Sequence, residues 1–285
     1  MNHAFLLNYK DIDFSFRFKF WDVSSAVHIS SGIEVSIWKF TPTDQIKKYS
    51  DLEINSFLGK YRNSLIALQH IRHSNILRIF EISGEGEELY FSSERISSVL
   101  SNETNLTNQE SFLALSQLAE ACRYLHQELN VAHLALSPDN IYFSPQFDLK
   151  LGNLVHFAKF SDYTSNIVPN LYPIDTSIFD VDPLFTSPEL RKREILTPAS
   201  DVYSYGLVFL FSLNCPISNE PLNISEYNLD IDLQQIIGRC TMDDPGQRPT
   251  FEQIRNQLSL PNIIPMQLRV LNFLLKIGEN SVEYR

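Results

Sequence analysis

The side chains of this 285-residue chain whose types and spacing could do chemistry fall in two short stretches. One is His133-Leu134-Ala135-Leu136-Ser137-Pro138-Asp139-Asn140, and the other, soon after it, is Lys150-Leu151-Gly152-Asn153-Leu154-Val155. Asn140 and Asn153 offer neutral oxygens that could ligate magnesium, yet two amides without a carboxylate hold such an ion weakly. Asn140 has a second reading, as a side chain that caps its own loop. A further charged candidate, Lys39, lies far upstream in a strand-like run.

The elements that must position these groups follow from periodicity. Phe14 to Phe20 alternates with period two and Ile33 to Phe40 is rich in β-formers, so an antiparallel sheet is predicted there, with a loop over Trp21–His28 between the strands. Ser50 to Arg72 carries helical apolar spacing, and Glu53 reads as solvated surface. Strands are expected at Ile76–Ile82 and Glu88–Ser92 around Gly84-Glu85-Gly86, with a hinge at Ser93-Glu94-Arg95. Thr107 and Glu110 read as a capping box opening a helix over Ser111–Leu129. Short strands at Ile141–Phe143 and Asp148–Leu151 bracket a Ser144-Pro145 turn. Thr197-Pro198 predicts an N-cap and proline start for the next helix, and Thr250–Leu258 and Met266–Ile277 read as two more.

Composition narrows the class. A hydrophobic content of 44% suffices for a core, while the net charge of −11 opposes a nucleic-acid groove or a basic membrane surface. Cys122, Cys215 and Cys240 are far apart, which indicates neither a zinc site nor a disulfide framework and fits a reducing, cytoplasmic setting. No signal peptide is expected at Met1–Leu7, and the apolar run Leu207–Phe211 is far too short to span a bilayer. The sequons at Asn102, Asn105 and Asn223 therefore carry little weight.

In their order and gaps these stretches resemble the protein kinase superfamily over roughly residues 12–260. The matching landmarks are His133…Pro138-Asp139-Asn140, Ser187-Pro188-Glu189, Asp201-Val202-Tyr203-Ser204-Tyr205-Gly206 and Arg248-Pro249, and His73-Ser74-Asn75-Ile76 resembles the turn after the kinase C-helix. The resemblance implies an α+β, two-lobed protein-kinase-like fold, with a small antiparallel β-sheet N-lobe (1–94), a mostly helical C-lobe (95–260) and the start of a helical extension (261–285). It also implies that the working charges are gone. Trp38 stands at the strand-lysine position, Ser64 at the helix glutamate, Leu134 at the phosphate-gripping arginine, Ala135 at the base, Ser137 at the loop lysine and Asn153 at the metal-binding aspartate. Ser36, Trp38, Lys39, Asn140 and Asn153 remain the candidates for touching a nucleotide, with Lys39 the working lysine if the strand register slips by one residue. His133, Glu189, Asp201 and Arg248 read as structural, and the resemblance implies a buried Arg248–Glu189 ion pair.

Within the superfamily the chain is similar to the SCY-like pseudokinases, through the bulky aromatic Trp38 in its strand, Ser64-Leu65 in the C-helix, the Leu151-Gly152-Asn153-Leu154 variant and the helix after Pro265. Members join such a domain to HEAT-type repeats and act as adaptors in vesicle traffic. This resemblance implies a catalytically inactive scaffold without ATP or magnesium, with coat or adaptor proteins as partners and a peripheral place at Golgi or endosomal membranes through them. Two other readings stay open: a nucleotide-binding switch, and an atypical, weakly active Ser/Thr kinase using Lys39, Asn140 and Asn153.

Overall fold

The computed structural model describes residues 3–44, 46–103, 106–155, 158–159, 182–192, 197–217 and 222–258. A short helix α1 (His3–Leu6) precedes β1 (Tyr9–Phe18), β2 (Trp21–His28), β3 (Glu34–Phe40), helix α2 (Asp51–His70), β4 (Ile79–Ser83) and β5 (Tyr90–Glu94). The five strands form one antiparallel sheet in the order β1-β2-β3-β5-β4. Alternation along β3 sends Trp38 and Phe40 into the main core with α2, whereas Val35 and Ile37 turn to the opposite face and meet Phe5 of α1 and Tyr9.

Four sequence expectations need correction in this lobe. Trp21–His28 is not a loop but strand β2, paired on both sides, with Trp21 opposite both Phe18 and Phe40. Buried Trp21 and Val23 face the main core and buried Ala26 the opposite face beside Val35, and this pairing outweighs the match to a glycine-rich loop. The hairpin tip shrinks to Lys19 (φ 51°) and Phe20. Strand β1 begins at Tyr9, not Phe14, and two register breaks leave Phe14 65% exposed. β4 starts at Ile79 because the residues before it serve the other lobe: the Leu77 N–H donates to Leu151 O at 2.8 Å and the Leu151 N–H donates to Asn75 O at 2.8 Å. Glu53 is more than solvated surface. It accepts the Ser50 N–H at 2.8 Å while Ser50 caps the helix at the Glu53 N–H, a reciprocal capping box.

After β5 come β6 (Ser98–Val99), α3 (Asn108–Gln127), β7 (Val131–Ala132), β8 (Ile141–Phe143), β9 (Leu149–Leu151), β10 (Ala158–Lys159) and helices α4 (Pro188–Arg191), α5 (Ala199–Ser212), α6 (Ile231–Cys240) and α7 (Phe251–Leu258). The box at Thr107 and Glu110 is present, and it starts α3 at Asn108, three residues earlier than the apolar spacing suggests. Thr197 does not cap α5: the N-cap position falls on Pro198, without a side-chain bond, and the Thr197 hydroxyl has no partner among the described residues. α5 is buried nearly all round, and at Gly206 a Cβ would come within 2.8 Å of Thr241 Cγ2, so glycine is what lets α6 pack this closely. Lobe and helix together give the two-lobed, kinase-like α+β fold. Among the described residues no helix is long and apolar enough to cross a membrane. The extension at 261–285 and most of the segment between Asn153 and Ser187 lie outside the described residues.

Candidate functional site

The cleft between sheet and helical lobe is built where β3, β5 and α2 meet the loop from His133 to Asn140 and the strand β8 that follows it. Trp38 stands in the middle and is 1% exposed. Its ring stacks on Phe91 of β5 (centroids 5.2 Å apart, 11° between planes) and meets Tyr142 of β8 edge-on at 5.3 Å. The indole N–H donates to Ser93 Oγ at 2.9 Å, which satisfies the one polar atom that burial would strand. Trp21 adds edge contacts to both Trp38 and Phe91 and lies 5.0 Å from Tyr61 of α2. Behind Tyr142 there is no slack, since a Cβ on Gly152 would come 2.7 Å from its Cε2. Burial in this cluster pushes the Tyr142 hydroxyl well above the usual phenol range.

Lys39 points away from this cluster. It is exposed on the opposite face of β3, across from Asp22 on β2, so alternation gives the inward place to Trp38. Ser64 is 1% exposed on the inward face of α2, and its hydroxyl has no partner among the described residues. Ser36 is spent on the linker after β5, accepting the Ile96 N–H at 3.0 Å and a bond from Arg95 Nη1 at 3.3 Å. Ala135 and Ser137 are buried in the loop.

The two asparagines occupy each other. Asn140 Nδ2 donates to Ala135 O at 2.7 Å, which is the loop-capping role, and Asn140 Oδ1 accepts from Asn153 Nδ2 at 2.8 Å. Asn153 Oδ1 is buried without a partner among the described residues. Among the described residues no cluster of His, Cys, Asp or Glu could hold a metal ion, and one available amide oxygen does not suit magnesium, which takes near-octahedral oxygen ligands including acidic ones.

Two contacts that sequence reasoning missed join the lobes here. Lys19 at the β1–β2 tip reaches Asp139 Oδ2 at 2.6 Å, and Lys150 bridges to Glu94 at 2.8 Å. Nothing local in the sequence signals the first, because its partners are distant along the chain. Tyr142 was within reach: alternation in the short strand Ile141–Phe143 separates it from its neighbours and turns it toward the cleft.

Beneath the cleft the buried charges of the frame are intact. Asp201 is 1% exposed and takes the N–H groups of His133 and Leu134, each at 2.7 Å, and lies 2.8 Å from His126 Nε2. Burial alone would raise its pKa, but the His126 bond and the His133 backbone N–H hold it below the ordinary carboxylate value. These bonds also fix Leu134 in a left-handed conformation (φ 59°). His133 is fully buried, with Nε2 donating to Gly152 O at 2.9 Å and Nδ1 accepting the Ala135 N–H at 3.2 Å, so its imidazole is neutral. Burial lowers its pKa, against an opposing pull from Asp201. Arg248 and Glu189 form a two-pronged pair at 2.7 and 2.9 Å, and Arg248 also donates to the carbonyls of Met242, Ala199 and Asp243.

This geometry agrees with comparisons to known proteins. A family model described as protein kinase domain matches residues 19–258. The chain is 30% identical over 214 residues to the probable serine/threonine-protein kinase gdt2 of Dictyostelium discoideum, covering 67% of this chain and 13% of that protein. It is 24% identical over 270 residues to the SNF1-related protein kinase catalytic subunit alpha KIN12 of Arabidopsis thaliana, covering 88% and 51%. It is also 22% identical over 216 residues to the inactive serine/threonine-protein kinase PLK5 of Mus musculus, covering 69% and 34%. The chain thus spans about half or less of the length of these relatives. With the family model covering most of its length and the two-lobed fold beneath it, the chain belongs to the protein kinase domain family.

Proposed function

We propose that this domain is a pseudokinase, a kinase fold that works as an interaction module and transfers no phosphate. The observation that carries this reading is Trp38, packed between Phe91 and Tyr142 in the space where a strand lysine would meet nucleotide phosphates. Supporting it are the residue types at the remaining positions: Ser64, Ala135 and Asn153 provide neither the ion pair, the base nor the metal carboxylate that phosphoryl transfer uses. Similarity alone does not decide the matter, because relatives at comparable identity include proteins named as kinases and one named inactive.

The finer part of the proposal rests on the resemblance of Trp38, Ser64-Leu65 and Leu151-Gly152-Asn153-Leu154 to SCY-like pseudokinases. On that footing the partners are coat or adaptor proteins of Golgi–endosome or clathrin-dependent traffic, with cytoplasmic placement and membrane contact only through them. Co-precipitation with purified coat proteins tests this part, and its failure leaves the pseudokinase reading standing.

Thermal unfolding with ATP and magnesium tests the rest. A ligand at 100 times its dissociation constant stabilises by about 2.7 kcal/mol, which for a domain of this size raises Tm by several degrees. The expected result is no metal-dependent shift and no phosphorylated peptide. Phosphorylation that disappears in Asn140→Ala would overturn the proposal. A metal-dependent shift without phosphorylation would replace it with a nucleotide-binding switch.

A further inference from the structure

At the sheet edge formed by β4, between the end of α2 and the Tyr9–Val35 face turned away from the cleft, lies a cavity of about 450 Å³. Buried Val35, Ile79 and Ser92 line it together with Tyr9 and Phe80, and the exposed Arg72 and Arg78 line it at the surface. The volume falls within the range of small-molecule sites, roughly 300–1,000 Å³.

Charge is what gives this cavity a preference. The carboxylate lining it, Glu81, is already engaged: Tyr9 Oη donates to it at 2.9 Å, Asn8 Nδ2 at 3.3 Å, and His28 Nε2 lies 3.5 Å away. Glu94, the acid beside Arg78, takes Lys150 and the backbone N–H of Arg78. Neither Arg72 nor Arg78 therefore has an ion pair with a described carboxylate. Both are nonetheless held in place, Arg72 Nη1 by the carbonyls of Gln69 and Ile71, and Arg78 by lying 5.2 Å over the ring of Phe80. A guanidinium has five N–H donors, so each keeps donors for a ligand. In a protein with a net charge of −11, two fixed and unneutralised guanidinium groups at the mouth of an aromatic-walled cavity stand out.

We propose that this cavity binds a small molecule with an anionic head, phosphate or carboxylate, on an aromatic or apolar body. The head meets Arg72 and Arg78 in the two-pronged geometry that guanidinium groups offer such anions. The body lies on Val35 and Ile79 beside Tyr9 and Phe80. The site shares no residue with the cleft, so it stands whether or not the cleft takes nucleotide.

The test is calorimetric titration of the whole chain with phenyl phosphate, benzoate, inorganic phosphate and benzyl alcohol at low ionic strength. Saturable binding of phenyl phosphate or benzoate is expected, weaker binding of inorganic phosphate and none of the neutral alcohol. The R72Q/R78Q variant should lose about tenfold or more in affinity for the aromatic anions. Because Arg72 also caps a helix end, Ile33→Asp serves as a second variant. It places a negative charge at the rim, from a side chain that is 52% exposed, without touching either arginine's bonds. It should weaken anion binding while the melting temperature stays unchanged. No saturable binding of either aromatic anion, or binding indifferent to both variants, would overturn the proposal. The same variants also separate the two sites: an ATP-induced shift that vanishes in R72Q/R78Q comes from this cavity, and one that survives comes from the cleft.

Discussion

Two buried regions of this molecule treat charge in opposite ways. In the frame under the catalytic-loop position, Asp201, Glu189 and Arg248 are buried as ions, each satisfied by several short bonds. In the cleft a few residues away, the ionic positions have gone to Trp38, Ser64, Ala135 and Asn153, and aromatic packing fills the space. The difference separates two jobs that a kinase fold gives to charge. Charges that satisfy backbone groups hold the loop's shape and cannot be dropped singly, because their partners would be left buried and bare. Charges that act on a phosphate pair with one another, so when the lysine and glutamate positions go together, to Trp38 and Ser64, neither leaves a buried ion bare.

The sharpest way to break this contrast is to remove one frame charge. Arg248→Ala leaves Glu189 buried with Ser200 as its remaining side-chain donor. Breaking a buried pair costs about 3–5 kcal/mol, to be read by urea denaturation. A loss below about 1 kcal/mol, the size of an exposed pair, would remove the distinction between the regions.

Acid should attack the frame before the cleft. His133, lowered by burial against the pull of Asp201, stays neutral in the fold while the unfolded chain takes a proton below its ordinary value of 6.5. Glu189, which burial alone would raise but Arg248 brings down, and Asp201 follow below 4.5 and 3.8. In all three cases the unfolded state binds more protons, so stability is present above these values and falls as pH falls. Denaturation midpoints should therefore drop from pH 7.5 to 5.5 and more steeply below 4.5, and Asp201→Asn should flatten the lowest part.

Trp38→Phe probes the other region. It keeps a ring against Phe91 but loses the bond to Ser93 and part of the volume, for a loss of about 1–3 kcal/mol. Nucleotide binding should not appear with it, since nothing charged is gained.

The sequence made some of this plain and hid the rest for identifiable reasons. The pairing of Arg248 with Glu189 and the capping box at Thr107 were legible because each is carried by residue types at fixed offsets or within a known pair of motifs. The inward turn of Trp38 and outward turn of Lys39 were legible because a strand alternates strictly. β2 reads as a loop because it stands at the position of a family landmark and its apolar alternation, Trp21 then Val23, breaks at Ser24-Ser25. The role of Asn140 is ambiguous in sequence, since capping and ligation use the same side chain, and its amide bond to Ala135 is a matter of loop geometry. The Lys19–Asp139 and Arg72–Arg78 placements depend on how the sheet curls and docks, and no local pattern records that.

The smallest expected effect discriminates most finely between packing and charge as what closes the cleft. Lys19 and Asp139 are 39% and 21% exposed, a setting in which an ion pair is worth about 0–1 kcal/mol and is screened by salt. Lys19→Ala should therefore barely move stability. Its effect on the cleft can be read directly, because the chain has two tryptophans and both, Trp21 and Trp38, sit in the aromatic cluster. If rings hold the lobes together, emission from Lys19→Ala stays at the short wavelength of buried indoles and does not change with added salt. A shift to longer wavelength in the variant, matched by the unmodified chain at high salt, would mean that the ion pair at the hairpin tip keeps the cleft shut. The cleft would then be a gate that charge controls, and no longer a filled core.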